Sequence, residues 1–395
     1  MWSLLLIGVL NAAPPDFEVH LLGGDQRVGP IVELGVDRMT VRTAEGPVSL
    51  DTKEIAGISR RDAGPSDVPP GVWAELIDGS RLAGAEYTVR EGRAGITRPS
   101  GEVTEVSARD VAAVRLQPPT GAIAAEWARI LESELDADLL VVRKGDSIDY
   151  HRGTLGDVSD KVVEFDLEGD LLAVKRSKVY GLVYYRSAGR SLPDPACWLT
   201  DADGSRWAVK SIRLEGDDFR WTTPLGLETS RAAAEVVRID FSQGKIVYLS
   251  DLEPESLVWT PYFGSTRKLP ALARFFGPRE DRGLDPGPLE LDGTQYEKGL
   301  ALHSRTSLVY RLPGRFRRFK AVVGIDDRVR PQGNVRLVIR GDDRVLLETT
   351  VTGTDPPLPV DLDLSGVRRL AILVDYGADL DVADHLDLCN ARIVK

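Results

Sequence analysis

Three groups of polar residues in the last third of the chain have types and spacing that could do chemistry: Asp384-His385-Leu386-Asp387, Asp326-Asp327, and His303 between Leu302 and Ser304. A carboxylate accepts hydrogen bonds from two adjacent hydroxyls and an imidazole can anchor a third, so this set suits a hydroxyl-rich ligand. Each group also has a plainer reading. His303 stands at the end of a strand-like run, where polar side chains commonly brace loops by hydrogen bonding. Asp326-Asp327 follows an apolar run and precedes Arg328-Val329-Arg330, which fits a structural turn, with or without a bound calcium. Asp384-His385-x-Asp387 is the best single candidate for ligand contact, and a bracing network is its competitor.

Catalysis has no comparable support. With 61 acidic residues in the chain, carboxylate pairs arise by number alone and decide nothing. There is no Gly-x-Ser-x-Gly elbow, no His-Glu-x-x-His and no phosphate-cradling glycine loop. His20 and His151 stand at non-equivalent places and read as surface residues. The expectation is a protein that is not an enzyme and carries no cofactor beyond a structural calcium.

Charge and composition narrow the partners. The formal net charge is −11, which disfavours a nucleic-acid partner because little here would release counterions from a phosphate backbone. Cys197 and Cys389 are far apart and lack metal-ligand spacing, so they read as two buried thiols, with a disulfide conceivable only if their domains pack together. The start, Met1-Trp2-Ser3 then Leu4 to Leu10 then Asn11-Ala12-Ala13-Pro14-Pro15, has the outline of a secretory signal cleaved near Ala13, although no Lys or Arg precedes the apolar run. No other stretch approaches the roughly 20 apolar residues needed to span a bilayer. Export to the periplasm, cell surface or medium is therefore expected.

The elements that must position those residues begin with internal repetition. Four segments share one pattern: a polar glycine turn, an extended stretch, a second glycine turn, then an apolar closing strand. From Gly24 to Ile55, Gly79 to Val111, Gly145 to Val179 and Gly204 to Val236 the separations are 31, 32, 34 and 32 positions. Such near-constant spacing marks a repeated unit. Alternation of apolar and polar residues, as in Met39-Thr40-Val41-Arg42, makes each unit a small antiparallel meander or barrel of about five strands, packed in pairs or in a row. Ile123, Trp127, Ile130, Leu131 and Leu135 fall at helical spacing and predict a linking helix. The organisation is a signal at 1–13, repeats at 16–62 and 70–118, a helix at 120–136, repeats at 137–187 and 194–245, and a β-sandwich at 246–395. The fold class is all-β.

Past Ile246 the texture changes to longer alternating strands such as Arg318 to Ile325 and Val335 to Arg340, separated by Gly, Pro and Asp clusters. Here Lys298-Gly299-Leu300-Ala301-Leu302-His303-Ser304, Val323-Gly324-Ile325-Asp326-Asp327 and Ala383-Asp384-His385-Leu386-Asp387 resemble the NPCBM family, with Leu289 to Gly293 and Tyr248 to Leu252 in keeping. The resemblance implies a galactose-binding-like sandwich, a module attached to glycoside hydrolases, that recognises carbohydrate through loops at one end. It makes His303, Asp326, Asp327, Asp384, His385 and Asp387 the candidate sugar-binding residues. One departure stands out: Leu388 occupies a place where family members often carry an aromatic ring, and losing a stacking ring would weaken or redirect sugar binding. The expected function is an exported, non-catalytic carbohydrate-binding protein whose repeats form a scaffold or an arm for a protein partner. The rival is a structural or protein-interaction protein, or an accessory subunit of a separate glycoside hydrolase. Burial of all of Trp259, Tyr262, Tyr296 and Tyr376 would favour that rival.

Overall fold

The computed structural model describes residues 14–22, 25–63, 71–186, 191–263, 273–314 and 316–395, so the signal expected at 1–13 lies outside the described residues. The chain divides into a unit ending at Ser242 and another beginning at Gln243. Both are antiparallel β structures.

In the first unit each repeat opens with a strand that pairs with its second and its closing strands. In the second repeat, Val72–Leu76 pairs with Arg81–Gly84 and Val111–Arg115. The three strands between them form their own ladder, Glu86–Arg90 to Arg93–Thr97 to Val103–Ser107. Burial alternates as the sequence requires, with Val72, Ala74 and Leu76 inside and Trp73 and Glu75 half-exposed. A 3-10 turn leads into every closing strand, and Ser107 caps the one in this repeat by accepting from the Arg109 amide. The count is six strands per repeat and five in the third, where Ser147–Val158 runs on as one strand. In the first repeat the extra break falls at Pro30, which has no amide hydrogen for a ladder. Among the described residues no repeat closes into a barrel.

Closing strands join the repeats in pairs that do not follow chain order. Ile55–Arg60 of the first lies against Val236–Asp240 of the fourth, and Val111–Arg115 of the second against Val179–Val183 of the third. The second and fourth repeats then meet edge to edge, with Arg81 opposite Arg206. The order in space is first, fourth, second, third.

That central join is made by two copies of one motif, Asp78-Gly79-Ser80-Arg81 and Asp203-Gly204-Ser205-Arg206. Gly79 and Gly204 turn at φ +86° and +87°, a conformation that a side chain would strain. The buried Ser80 hydroxyl accepts from the Ala208 amide at 2.9 Å, and the buried Ser205 hydroxyl from the Ala83 amide at 3.0 Å. These reciprocal bonds give the edge amides partners where the two strands diverge.

The linking helix spans Gly121–Leu131 and buries Ile123, Trp127 and Ile130 against Leu139, Val141, Tyr180 and Val183. Trp127 meets Tyr180 edge-on at 5.6 Å and lies over Gly181, where a Cβ would come within 2.6 Å of the indole. The helix is shorter than the expected 120–136. The Ser133 hydroxyl donates to the Ile130 carbonyl at 2.7 Å and so satisfies an end group that another helical turn would have used.

The second unit is a sandwich of two sheets. One runs Arg279–Glu280, Gly299–His303, His385–Val394, Arg318–Ile325, Leu358–Asp363, with Ile246–Tyr248 also on His385–Val394. The other runs Ser256–Trp259, Thr306–Arg311, Arg369–Tyr376, Asn334–Gly341, Arg344–Thr352. Leu302, Phe319, Val323, Leu386 and Ile393 from the first pack on Leu308, Leu337, Ile339, Ile372 and Val374 from the second. A hairpin, Leu289–Leu291 with Thr294–Tyr296, adds a smaller core with Ala301 and Cys389. Cys197 and Cys389 are each buried in their own unit.

Candidate functional site

Antiparallel register gathers the chain reversals after Trp259, His303, Ile325 and Tyr376 at one rim of the sandwich. Trp259 stands opposite Thr306, His303 opposite His385, Ile325 opposite Leu386, and Tyr376 opposite Val335. The sequence motifs therefore converge, although most of their polar atoms face inward.

His303 is buried, and its Nδ1 lies 2.6 Å from the Ser304 carbonyl, so that nitrogen carries the proton and donates. Trp259 Nε1 donates to the same carbonyl at 3.1 Å. The His303 ring also packs 4.7 Å from Phe276 and 5.6 Å from His385. Asp384 is fully buried and accepts from the Ser304 hydroxyl at 2.5 Å and the Asn334 amide at 3.1 Å, tying two rim loops together. Its burial pushes the carboxyl above the usual range. Asp326, also buried, accepts from the Arg328 amide at 2.8 Å and its guanidinium at 3.0 Å. Asp327 receives the Asp292 and Gly293 amides at 2.9 and 2.7 Å and holds the hairpin turn against the rim.

Asp387 is wholly buried, beside the Glu290 backbone and the Asp326 carboxyl. Burial, and next the nearby charge of Asp326, push its carboxyl well above the ordinary range. Its neighbours on the sheet face, Ala301 and Cys389, belong to the small core under the hairpin. His385 is half-buried, with Nδ1 3.6 Å from an Asp285 oxygen; burial first, then His303, hold its pKa below the usual 6.5, so it is a neutral imidazole at pH 7. Of the six candidates, His385 and Asp327 keep surface exposure, His303, Asp326 and Asp384 are buried and brace the loops, and Asp387 is buried beneath the hairpin. Among the described residues no group of three or more His, Cys, Asp or Glu is arranged to hold a metal ion.

The exposed chemistry beside them is aromatic. Tyr262 is 38% exposed and Phe263 74%, with ring centres 4.7 Å apart. Tyr376 stands 4.9 Å from Tyr262 and fixes the loop by donating its hydroxyl to the Thr260 carbonyl at 2.8 Å. Trp259 is buried, Tyr262 exposed, and Tyr296 and Tyr376 half-buried, so the four rings are not all sealed in. The clustering of aromatics from Trp259 onward was the available signal for Phe263, whereas Asp285 and Asn334 lie outside the motifs. Leu388 needs a correction. It is fully buried in the main core, so an aliphatic residue there alters packing and removes no ring from the rim.

Two facing antiparallel sheets with loops converging at one end define the class of this unit, a β-sandwich module. Residues 245–394 match the family described as NPCBM/NEW2 domain. Among solved structures the chain is similar to the CBM51 of Clostridium perfringens GH95 in complex with methyl-galactose, at 22% identity over 38% of this chain and 99% of that one, with a TM-score of 0.33. It is also similar to the tandem CBM51 modules of Sp3GH98, a family 98 glycoside hydrolase from Streptococcus pneumoniae, at 15% identity over 65% and 88%, with a TM-score of 0.31. A curated relative from Renibacterium salmoninarum, named as an endo-alpha-N-acetylgalactosaminidase, is 28% identical over 197 residues, which is 49% of this chain and 12% of the relative. The chain thus spans a small part of that relative's length. No described helix is long and apolar enough to cross a membrane.

Proposed function

We propose that the second unit binds a glycan at this rim, reversibly and without bond chemistry. The observation that carries the reading is the exposed Tyr262–Phe263 pair, backed by Tyr376, next to loops that Asp384, Asp326 and Asp327 hold in place. Sugar rings present C–H faces that stack on aromatic rings, while the His385 imidazole and the Asp285 carboxylate supply polar partners for hydroxyls. The NPCBM/NEW2 match supports the same reading, since that family is made of carbohydrate-binding modules. The buried His303, Asp326 and Asp384 act as positioning residues. We further propose that the protein is exported, as the apolar run at Leu4 to Leu10 and the small residues after it suggest, and that the repeats are a scaffold for the module.

Affinity electrophoresis of the whole chain through gels containing galactan, mucin or dextran tests the reading. The wild type should be retarded by at least one galactose-bearing gel, and Tyr262→Ala with Phe263→Ala should abolish the retardation while leaving the unfolding temperature unchanged. Equal migration of wild type and variant in every gel sinks the proposal.

A further inference from the structure

Where the second and fourth repeats meet, the sheet carries a cleft of about 500 Å³ lined by Trp73, Glu75, Arg81, Thr200, Gly204 and Arg206. Its two halves repeat one arrangement, with the Arg81 guanidinium 4.3 Å over the Trp73 ring and Arg206 4.1 Å over Trp198. Arg81 and Arg206 are direct cross-strand partners. Like charges in that position repel and destabilise a ladder.

Little on the protein offsets them. Glu75 stands 3.7 Å from Arg81 across an exposed pair, and among the described residues no carboxylate comes within ion-pair distance of Arg206. Arg115 faces Trp73 from the adjoining strand, its Nε buried and without a hydrogen-bond partner. Of these three guanidiniums, among the described residues, Arg81 alone has an ion-paired carboxylate, in a chain whose formal charge is −11. The indoles hold the two exposed guanidiniums in place, which lowers the entropy lost when they close on a ligand.

We propose that this cleft is an oxyanion site, taking a carboxylate or sulfate group between Arg81 and Arg206. The planar fork of each guanidinium matches such a group, and the anion removes the repulsion that the bare pair carries. A free anion and an acidic polysaccharide both carry such a group, and the two sources are separable. The site is remote in sequence from the sandwich rim and independent of the glycan reading.

Two measurements on the full chain test it. In thermal unfolding at matched ionic strength, sodium sulfate should stabilise the wild type beyond sodium chloride, and Arg81→Gln with Arg206→Gln should abolish that difference. The double variant should unfold no earlier than wild type in chloride, because it loses a repulsive pair. In affinity electrophoresis, polygalacturonate should bind the wild type about tenfold more tightly than the double variant, as expected for the loss of charged hydrogen bonds. A response to polygalacturonate without one to sulfate identifies a polymer-borne carboxylate, and the reverse identifies a free anion. Arg206→Lys keeps the charge without the fork and should respond weakly in both assays. An identical response of wild type and double variant, or no response of the wild type to either anion, overturns the site. Retardation on galactose-bearing gels should be the same for both proteins, which separates this test from that of the rim.

Discussion

Removing the Ser80 or Ser205 hydroxyl should loosen the join between the second and fourth repeats. Each hydroxyl is the acceptor for one amide of the opposite repeat, and Ser80, Ser205, Ala83 and Ala208 are all buried, at 0%, 3%, 1% and 0% exposure. In Ser80→Ala the Ala208 amide is left without a partner where water cannot reach it. Stranding a buried backbone donor costs about 1–3 kcal/mol. With a unit ending at Ser242, about 2 kcal/mol corresponds to a fall of roughly 4–8 °C in unfolding temperature. Ser205→Ala should cost a similar amount. The double variant should lose less than the sum, because the two bonds hold the same pair of strands and the first loss already lets them part. Calorimetry of the full chain would show the first unit's transition moving while the second unit's stays. Ser107→Ala is the control, since that hydroxyl caps an exposed turn at 3.3 Å. A shift in Ser80→Ala no larger than the control's would refute the argument that these hydroxyls carry the join.

Three further outcomes follow from the packing and charge. Trp127→Ala should destabilise the first unit by about 3–5 kcal/mol in urea unfolding, because the indole fills the space over Gly181, and Gly181→Ala should also destabilise it by driving a Cβ into that ring. Asp327→Ala should cost about 1 kcal/mol in the second unit's stability, measured by urea unfolding, by freeing the Asp292 and Gly293 amides. His385 has a folded pKa below its unfolded value, so its contribution is present above pH 6.5 and is lost as pH falls through 6.5 toward the folded value. The stability difference between wild type and His385→Gln should therefore shrink or reverse on acidification from pH 7.5 to 5.5. A difference independent of pH would contradict the neutral imidazole.

The repeats were legible because a glycine turn followed after 31 to 34 residues by an apolar closing strand, and a period of two within the strands, are written locally. Their pairing order was not legible. Closing strands such as Ile55–Arg60 and Val111–Arg115 resemble one another, and which one meets Val179–Val183 is decided by long-range packing. The extra break at Pro30 was visible in composition, whereas the continuous Ser147–Val158 was not. At the rim the motif residues stand on strands whose ends come together, yet residue type could not say which way a carboxylate points. Asp387 lies on an outer sheet face that alternation assigns to solvent, and the hairpin Leu289–Leu291 with Thr294–Tyr296 covers it. Leu388 misled for the complementary reason, since its side chain belongs to the main core and never reaches the rim.

Co-crystallisation of the chain with the saccharide that its gel retardation selects is the most direct examination of the central claim. The account predicts a sugar ring stacked on Tyr262 or Phe263, with hydroxyls in hydrogen-bond reach of His385 or Asp285. Sugar bound elsewhere on the sandwich, with those aromatic rings bare, would contradict it.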